Sequence, residues 1–354
     1  MPRWRIGLWL IECIVLLALL EAFVLRPMMA RRQASRQESP ALPTAIPVAL
    51  EPLGGQAQEL PGLKEVVPAF LAPLEGLATG SETMRSAQQS FSRTARLPVE
   101  VENSVGMRFR LVPPGTAIIG SPPEETGRGD REVQHVFVAP EPFYLGAFEV
   151  TQAEWGRVMP ADPSHYKGAR RPAEEVSWYD CQQFITALCR LEGVADGTYR
   201  LPSESEWEYA CRAGTSTAYC CGNEPRRLEA FATHGDNGGS GTTAVGLKRP
   251  NSLGLYDLHG NVWEWCLNRF APYANDDGPG DPEHESWRCL RGGNWYVPPV
   301  DCRSAARNRL PPASKGNMMG FRLLRSITVS QKAAEPAAAT PPPSGAGGPA
   351  PALP

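Results

Sequence analysis

The sequence predicts an α+β domain that is rich in loops and contains only a few short helices and strands. The chain has 354 residues, and its 36 prolines and 34 glycines are typical of a domain with much irregular backbone. Capping boxes mark a small number of helix starts, and short apolar runs bounded by glycine or proline indicate short strands. We therefore expect one sizeable core connected by long, ordered loops.

Local signals predict where the helices and strands lie. Three capping boxes mark helix starts, at Thr151-x-x-Glu154, Ser177-x-x-Asp180 and Ser203-x-x-Glu206. Helical spacing in the second helix predicts a buried face made of Cys181, Phe184, Ile185 and Leu188. Gly193 is its natural stop. In the third helix, Glu206 and Glu208 face different ways, so we expect no joint acid–base role. Short strands are predicted at residues 107–112, 117–119 and 136–138.

An apolar run near the N-terminus predicts a membrane anchor. The run begins at Ile6 and ends at Leu25, has arginines on both sides, and matches the roughly 20 residues needed to cross a bilayer. A cleaved signal peptide is the competing interpretation, but no A-x-A cleavage site follows. Inside the run, Glu12 and Glu21 either mark a face that pairs with another transmembrane helix or lie close to an interface.

Composition divides the chain into four segments. They are the anchor at residues 1–32, a linker rich in proline, alanine and glutamine at 33–100, a folded domain at 101–326, and a disordered proline- and alanine-rich tail at 327–354. Charge is nearly balanced, with 35 Lys and Arg against 38 Asp and Glu, so no strong positive field attracts phosphates. We therefore expect no nucleic-acid partner.

The number and spacing of the cysteines indicate in which cellular compartment the domain lies. Eight of the nine lie in the predicted domain, which favours an oxidising environment. Their spacing does not indicate zinc, since Cys220 and Cys221 are adjacent and no C-x-x-C occurs. The thiols are either partly paired in disulfides or buried and free. Because arginines flank the apolar run on both sides, the orientation rests on these cysteines, and we expect an extracytoplasmic domain, either periplasmic or extracellular.

Residues 251–265, NSLGLYDLHGNVWEW, form the most specific stretch of the chain. Two carboxylates and two carbonyls of a turn could meet there at one centre, from Asp257, Glu264, Gly260 and Val262. Such an oxygen-only environment is the one that calcium prefers. In the alternative interpretation, Trp263 and Trp265 are core residues, and Glu264 hydrogen-bonds to loop amides with no ion present.

Three motifs together resemble the formylglycine-generating enzyme (sulfatase-modifying factor) family. In chain order they are RLPSESEWEYACRAG at 200–214, the stretch at 251–265, and RGGNW with MMGFRLL at 291–295 and 318–324. The resemblance implies that family's loop-rich fold, which is C-type-lectin-like. It also implies a structural calcium ion, which family members bind through the residues matching Asp257, Gly260, Val262 and Glu264. A second family calcium site lies upstream, where only Asn237 falls at a matching acidic position.

The loop after Arg291 departs from the family's oxidase pattern. Formylglycine-generating enzymes carry two cysteines there that bind copper(I), a soft metal suited to thiolates. Val297 occupies the first position and has no thiol, so the resemblance does not carry copper to this chain. Cys302 occupies the second, as a weak catalytic candidate. Its setting also resembles a segment whose cysteine pairs with the one matching Cys211, which implies a Cys211–Cys302 disulfide.

Two further cysteines and a group of groove residues complete the candidates. Cys266 and Cys289 are candidates for a second disulfide or, alternatively, a substitute copper pair. The family's binding groove matches Asn261, Trp295, Tyr296 and Arg307. Aromatic and arginine side chains are strong contact anchors, although packing is an alternative role for each.

Two functional hypotheses follow from the resemblance and from Val297. The first is a membrane-tethered, non-oxidase binding or accessory module whose groove takes a protein, peptide or glycan. The alternative is a formylglycine-generating oxidase, a copper- and oxygen-dependent oxidoreductase that converts a sulfatase cysteine to formylglycine, or a related oxidase on the same scaffold. One fold supports many functions, so the resemblance alone does not decide between these hypotheses. The missing thiol at Val297 favours the first.

Overall fold

A computed structural model describes residues 63–65, 81–273 and 286–327 of the chain. Within these ranges, no helix combines the length and the apolar character that crossing a membrane requires. The predicted anchor at residues 6–25, most of the predicted linker, and the predicted tail from residue 328 onward lie outside the described residues.

Four α-helices are present in the described chain, namely α1 (Ser81–Ala95), α2 (Gln152–Val158), α3 (Trp178–Glu192) and α4 (Glu204–Arg212). The three predicted capping boxes are confirmed, each with both reciprocal hydrogen bonds. Helix α3 ends at Gly193, whose φ of 67° is the left-handed conformation that glycine adopts without strain. Its predicted inward face is buried as well, and Cys189 extends it.

Twelve short strands are described, with bounds β1 (Leu63–Glu65), β2 (Glu100–Asn103), β3 (Arg108–Val112), β4 (Gly115–Ile119), β5 (His135–Ala139), β6 (Phe143–Gly146), β7 (Tyr199–Arg200), β8 (Trp263–Arg269), β9 (Arg288–Arg291), β10 (Arg307–Leu310), β11 (Met319–Gly320) and β12 (Leu324–Ser326). The first sheet has the antiparallel order β1-β2-β3-β6-β12-β7. The second has the order β10-β9-β8-β11, with β11 parallel to β8, and β4 pairs with β5 alone. The expected α+β, loop-rich architecture is confirmed.

Two large apolar clusters form the core between these elements. The first joins α3 to the first sheet and is centred on the aromatic residues Trp155, Phe184, Trp265 and Phe321. The second surrounds α4, which packs against β4, β8 and β9. Trp207 and Cys211 of α4 are fully buried in it, one helical turn apart. Loops that reach the surface beside these clusters carry the candidate site.

Packed structure begins upstream of the predicted domain boundary at residue 101. Helix α1 lies in the predicted linker, yet Phe91 is 5% exposed and joins the first core cluster. Gln88 is buried too, and its amide donates hydrogen bonds to the carbonyls of Leu111 and Leu253 at 2.7 and 3.1 Å. The linker prediction was wrong for this stretch because α1 is mostly polar and packs through a few widely spaced residues.

Candidate functional site

Four aromatic side chains form a row that reaches the surface, and two of them belong to the loop that follows β9. Trp295 contacts Tyr166 with ring centroids 5.6 Å apart and Tyr296 with centroids 5.5 Å apart, and Tyr166 contacts His165 at 4.7 Å. All three contacts are edge-to-face. Tyr296 is 67% exposed, whereas Trp295 is only 8% exposed. We call these four residues the aromatic row; it contains two of the four predicted groove residues.

The sequence RGGN bends the chain so that Tyr296 projects outward. Gly292 and Gly293 have φ values of 99° and 76°, which side chains rarely allow. The Asn294 side-chain oxygen then accepts hydrogen bonds from the amides of Tyr296 and Val297, at 2.8 and 3.0 Å. Such a side-chain turn fixes the loop without a regular strand or helix. Tyr296 is therefore held on an ordered backbone.

The glycine-rich loop at residues 233–239 supports the aromatic row from beneath. The Gly235 amide donates to the Val297 carbonyl at 2.7 Å. A Cβ at Gly238 would lie 2.4 Å from the Trp295 carbonyl oxygen, so only glycine fits there. Asn237, the one residue matching a second family calcium site, accepts a hydrogen bond from the His234 amide at 2.9 Å. Its side chain therefore serves the loop.

Asn261 lies under the aromatic row and does not reach its surface. The residue is fully buried, and its carbonyl accepts the Trp295 amide at 2.9 Å. Its side chain accepts the Thr243 amide at 2.9 Å and donates to a Glu149 carboxylate oxygen at 3.1 Å. The expected ligand contact of Asn261 is thus replaced by a positioning role, because every polar atom of its side chain is used internally.

Arg307 lies away from the aromatic row, so the predicted groove quartet does not assemble. Its guanidinium donates two hydrogen bonds of 2.7 Å to the Glu204 carboxylate. It also stacks over Phe270 and Tyr273, at 4.4 and 4.3 Å from the ring centroids. The Arg307 side chain is only 3% exposed. Charge pairing and cation–π contact commit it to the interior.

A buried ionic network that the sequence did not predict extends from Arg307 through α4. Glu208 is fully buried and binds both Arg212 and Arg291, while the Tyr273 hydroxyl donates to it. Burial alone would raise the pKa of Glu208, but the two guanidinium groups lower it to about 2. Glu206, two residues earlier, instead pairs with Arg200 at the helix start. The two carboxylates therefore face different ways, as predicted.

The thiol chemistry expected of the family's oxidases has no counterpart in the loop at residues 294–302. Val297 offers no donor atom, and its side chain packs against a small apolar cluster. Cys302 is fully buried in that cluster, and burial raises the pKa of its thiol far above the ordinary value, although the Asn294 amide opposes this. A protonated, enclosed thiol opposite a valine does not fit a two-thiolate copper(I) site.

None of the eight cysteines in the described residues forms a disulfide, so the predicted Cys211–Cys302 disulfide is absent. Cys211 lies in the apolar cluster around α4, whereas Cys302 lies in the small cluster below Val297. The His259 imidazole contacts both segments, with Nε2 3.7 Å from the Cys211 sulfur and Nδ1 2.8 Å from the Cys302 carbonyl oxygen. Each thiol is thus packed separately.

Cys266 and Cys289 form no disulfide with each other and lie on the paired strands β8 and β9. The Cys289 thiol donates to the Glu204 carboxylate at 3.0 Å, and the Cys266 thiol donates to the Glu264 carbonyl at 3.8 Å. Burial raises the pKa of Cys289 well above its usual value. The second disulfide is therefore not formed, and a protonated Cys289 does not suit a copper ligand.

Asp257 and Glu149 bring two unsatisfied carboxylate oxygens into the interior. Asp257 Oδ2 accepts the Gly246 amide at 2.7 Å, but within the described residues Asp257 Oδ1 and Glu149 Oε1 have no hydrogen-bond partner. Burial raises the pKa of Asp257 to about 6. Burial and the Asp257 charge raise the pKa of Glu149 well above its usual value. Orphaned buried oxygens of this kind fit a bound cation.

The charge of Glu264, the other carboxylate predicted to bind calcium, is balanced by an arginine. Arg322 donates to both of its oxygens at 2.6 Å, and the Trp207 indole donates to one at 2.8 Å. Glu264 and Arg322 are both fully buried. Trp263 and Trp265 are core residues, as in the alternative interpretation, but Glu264 contacts an arginine rather than loop amides.

The predicted calcium ligands therefore fit only in part. Asp257 has an oxygen to offer, Glu264 has its charge balanced by Arg322, and Gly260 is held by close approach to the Thr233 backbone, where a Cβ would lie 2.0 Å from the carbonyl oxygen. Among the residues that the structure describes, no group of three or more His, Cys, Asp or Glu residues is arranged to hold a metal ion.

Comparison with known proteins gives consistent matches to one family. Residues 94–327 match the sulfatase-modifying factor enzyme 1-like domain. Chaperone protein LppX of Paenibacillus barcinonensis is 28% identical over 232 aligned positions, and the match covers 52% of this chain and 80% of LppX. The formylglycine-generating enzyme of Streptomyces coelicolor is 34% identical over 221 residues, covering 55% of this chain and 68% of that enzyme.

A solved structure agrees with these matches. PvdO from Pseudomonas aeruginosa superposes with a TM-score of 0.56 at 27% identity, covering 63% of this chain and 96% of PvdO. The match to the family begins at residue 94, close to the end of α1, and runs to residue 327, after the last described strand. The chain therefore belongs to the sulfatase-modifying factor enzyme 1-like (FGE-sulfatase) domain family.

Proposed function

We propose that this chain is a membrane-tethered, non-oxidase member of its family whose aromatic row binds protein or peptide ligands. Val297 carries the proposal, because it occupies the position at which the oxidases have their first copper-binding thiol. The alternative function, a formylglycine-generating oxidase, would need a second thiolate beside Cys302, and the loop offers a valine and a protonated, buried thiol instead. Binding needs neither group.

The exposure of Tyr296 at the end of the aromatic row supports a binding role. An exposed tyrosine held on a rigid loop presents a large contact area at a small entropic cost. Tyr296 has these properties, since Asn294 fixes its backbone while 67% of the residue stays exposed. The relative LppX is named a chaperone protein, which fits a groove that contacts other polypeptides. Unfolded or extended segments with apolar side chains are the ligand class that suits these rings.

The tether and the compartment are part of the same proposal. The apolar run at residues 6–25 would hold the domain at a membrane, with residues between the run and α1 as spacer. The extracytoplasmic position in this proposal rests on the number of cysteines alone, since none of the eight described cysteines forms a disulfide. A binding module on such a tether would meet its ligands at the membrane surface, where tethering raises the effective concentration of both partners.

A structural calcium ion is also proposed, at the interior carboxylates. Asp257 and Glu149 each have an oxygen without a hydrogen-bond partner in the described chain, and carbonyls of Gly260 and Val262 would complete an oxygen environment. The ion would supply positive charge to the two acids. Glu149 also holds the Asn261 side chain, and Asn261 holds Trp295, so the ion would stabilise the support of the aromatic row.

Suppression of protein aggregation tests the binding role. The full chain, purified in detergent, is mixed with heat-unfolded malate dehydrogenase, and light scattering is followed against chain concentration. We expect the wild type to suppress scattering. Tyr296→Ala should raise the half-suppressing concentration about tenfold, the effect of losing about 1.4 kcal/mol of binding at an aromatic anchor.

Tyr179→Ala is the matched control. Tyr179 lies on α3, is 51% exposed and contacts the neighbouring Trp178 ring, so its loss removes a similar exposed aromatic outside the row. The control should suppress scattering as well as the wild type. Equal activity of Tyr296→Ala and the wild type, or no suppression by the wild type, would count against polypeptide binding by the aromatic row.

A further inference from the structure

The adjacent cysteines Cys220 and Cys221 occupy the two central positions of a tight turn. The Tyr219 amide donates to the Gly222 carbonyl at 3.0 Å, and the Gly222 amide donates back to the Tyr219 carbonyl at 3.1 Å. This reciprocal pair closes a two-residue hairpin around the cysteines. Gly222 has a φ of 119°, which a side chain would oppose. The backbone therefore confines both sulfurs to one small volume.

His259 fixes this turn from below through a defined tautomer. Its Nδ1 lies 2.8 Å from the Cys302 carbonyl, which only accepts, so Nδ1 carries the proton. Its Nε2 then accepts the Cys220 amide at 3.1 Å. Burial lowers the pKa of His259, in keeping with a neutral ring. The imidazole thus holds the turn and leaves the two vicinal thiols free to react with each other.

The two thiols differ in chemical character. A hydrogen bond from the Cys220 thiol, opposed by burial and assisted by the positive charge of Arg227, lowers the pKa of Cys221 to about 7. The pKa of Cys220 is raised well above its usual value, first by that same hydrogen bond and then by burial. The lower pKa favours Cys221 as the attacking thiol and Cys220 as the resolving thiol, the division of roles found in redox-active dithiols.

We propose that the Cys220–Cys221 turn is a redox-active vicinal dithiol that closes to an intramolecular disulfide by exchange with low-molecular-weight disulfides. The turn lies in the apolar cluster against which Val297 packs. This pair of thiols, which can exchange two electrons, therefore lies in the cluster next to Val297, the position at which the family's oxidases have their first copper-binding cysteine.

The disulfide forms by two successive thiol–disulfide exchange reactions. The Cys221 thiolate attacks one sulfur of the external disulfide, the first external thiolate leaves, and a mixed disulfide forms at Cys221. Cys220 then loses its proton to solvent and attacks the Cys221 sulfur, which releases the second external thiolate. The two protein thiols are oxidised by two electrons, and the external disulfide is reduced to two thiols.

The disulfide should be easily reduced. Adjacent Cα atoms are about 3.8 Å apart across a trans peptide, below the separation of about 4.4 Å at which ordinary disulfides begin. Strained bridges have more oxidising potentials and are the labile ones. Cys220 and Cys221 are 2% and 0% exposed, so oxidation should proceed through local opening and be slower than at a surface thiol.

Peptide mapping across glutathione redox buffers tests the proposal. The full chain is equilibrated at stepped ratios of oxidised to reduced glutathione, quenched in acid, blocked with N-ethylmaleimide in denaturant, and digested without reduction. We expect the peptide with Cys220 and Cys221 to lose both maleimide adducts and to be lighter than the dithiol by two hydrogen atoms. Return to reduced buffer should restore both adducts.

Variants add a directional test. Cys220→Ser should trap glutathione on Cys221, whereas Cys221→Ser should leave Cys220 without an adduct. Cys181→Ser is the control, because Cys181 is fully buried on α3 in another cluster, and it should leave the oxidation of the turn unchanged. Retention of both adducts by the wild type at the most oxidising ratio, or oxidation of Cys211 and Cys302 instead, would overturn the proposal without reliance on any variant.

Discussion

The buried carboxylate of Glu208 should contribute more to folding than any exposed ion pair of the chain. Its side chain and that of Arg291 are 0% exposed, that of Arg212 is 2% exposed, and the Gly120 amide donates to the carboxylate at 2.8 Å. Glu208→Gln keeps the shape but removes the charge, which leaves two buried guanidinium groups without their shared counterion. The expected result is a large loss in the free energy of unfolding.

The pKa of Glu208 sets the magnitude. The change from 4.5 to about 2 corresponds to about 3 kcal/mol, at about 1.4 kcal/mol per pH unit. Because the pKa is lower in the folded protein, this stabilisation is fully present above pH 4.5 and is lost as the pH falls toward 2. At about pH 3.5 about 2 kcal/mol should remain. The penalty of Glu208→Gln should therefore shrink in acid.

Urea unfolding followed by tryptophan fluorescence measures both effects. Wild type, Glu208→Gln and the control Glu206→Gln are compared at pH 7 and at about pH 3.5. Glu206 lies on the same helix, but its side chain is 18% exposed, and glutamine still completes the capping box, so the control should lose less than about 1 kcal/mol. A penalty for Glu208→Gln below about 1 kcal/mol, or one that does not change with pH, would refute the reasoning.

Three further substitutions probe the support of the aromatic row and the helix starts. Gly238→Ala should lower the free energy of unfolding, measured by thermal unfolding, by about 1–3 kcal/mol, because the new Cβ would lie 2.4 Å from the Trp295 carbonyl oxygen. Gly156→Ala in α2 is the control. No atom lies within 4 Å of its new Cβ, so it should be neutral or stabilising. Calcium chloride should raise the melting temperature at pH 7.5 but not below about pH 5, because the raised pKa of Asp257 keeps its carboxyl group protonated at the lower pH. Asp257→Asn should abolish the increase. An unchanged calcium response in this variant would contradict the proposed site. Ser203→Ala should lose about 1 kcal/mol in urea unfolding through the cap of α4, and no loss would show that packing alone fixes the helix start.

Features that depend on neighbouring residues could be predicted from the sequence. The starts of α2, α3 and α4 follow from capping pairs three residues apart, and the buried face of α3 follows from helical spacing. Helix α1 escaped prediction because its contacts are with distant residues. Gln88, for example, pairs with Leu253, which is 165 residues further along the chain.

Ion pairs across the fold could not be predicted for the same reason. Glu208 meets Arg291 over 83 residues, and Glu264 meets Arg322 over 58. Arg322 lies inside the recognised motif at residues 318–324, but no rule of spacing assigns it to Glu264. The prediction of calcium at Glu264 did not include this arginine, and the prediction for Arg307 did not include Glu204.

The cysteines illustrate the difference between composition and packing. Their number suggested disulfides, but Cys211 and Cys302 lie in different apolar clusters, and His259 contacts both the Cys211 thiol and the Cys302 carbonyl. Cys266 and Cys289 share one cluster, but their thiols donate to Glu264 and Glu204 instead of pairing. Adjacent Cys220 and Cys221 appeared only as evidence against zinc in the sequence. Their reciprocal hydrogen bonds through Tyr219 and Gly222 depend on the folded turn.

Copper binding and aldehyde formation, measured together on the full chain, test most directly whether the oxidase centre is lost at Val297. The purified chain is incubated with copper(I), oxygen and a peptide containing Cys-x-Pro-x-Arg, beside the formylglycine-generating enzyme of Streptomyces coelicolor as the positive control. We expect no stoichiometric copper and no aldehyde in the peptide mass spectrum. Stoichiometric copper together with aldehyde formation by the wild-type chain would contradict a non-oxidase function.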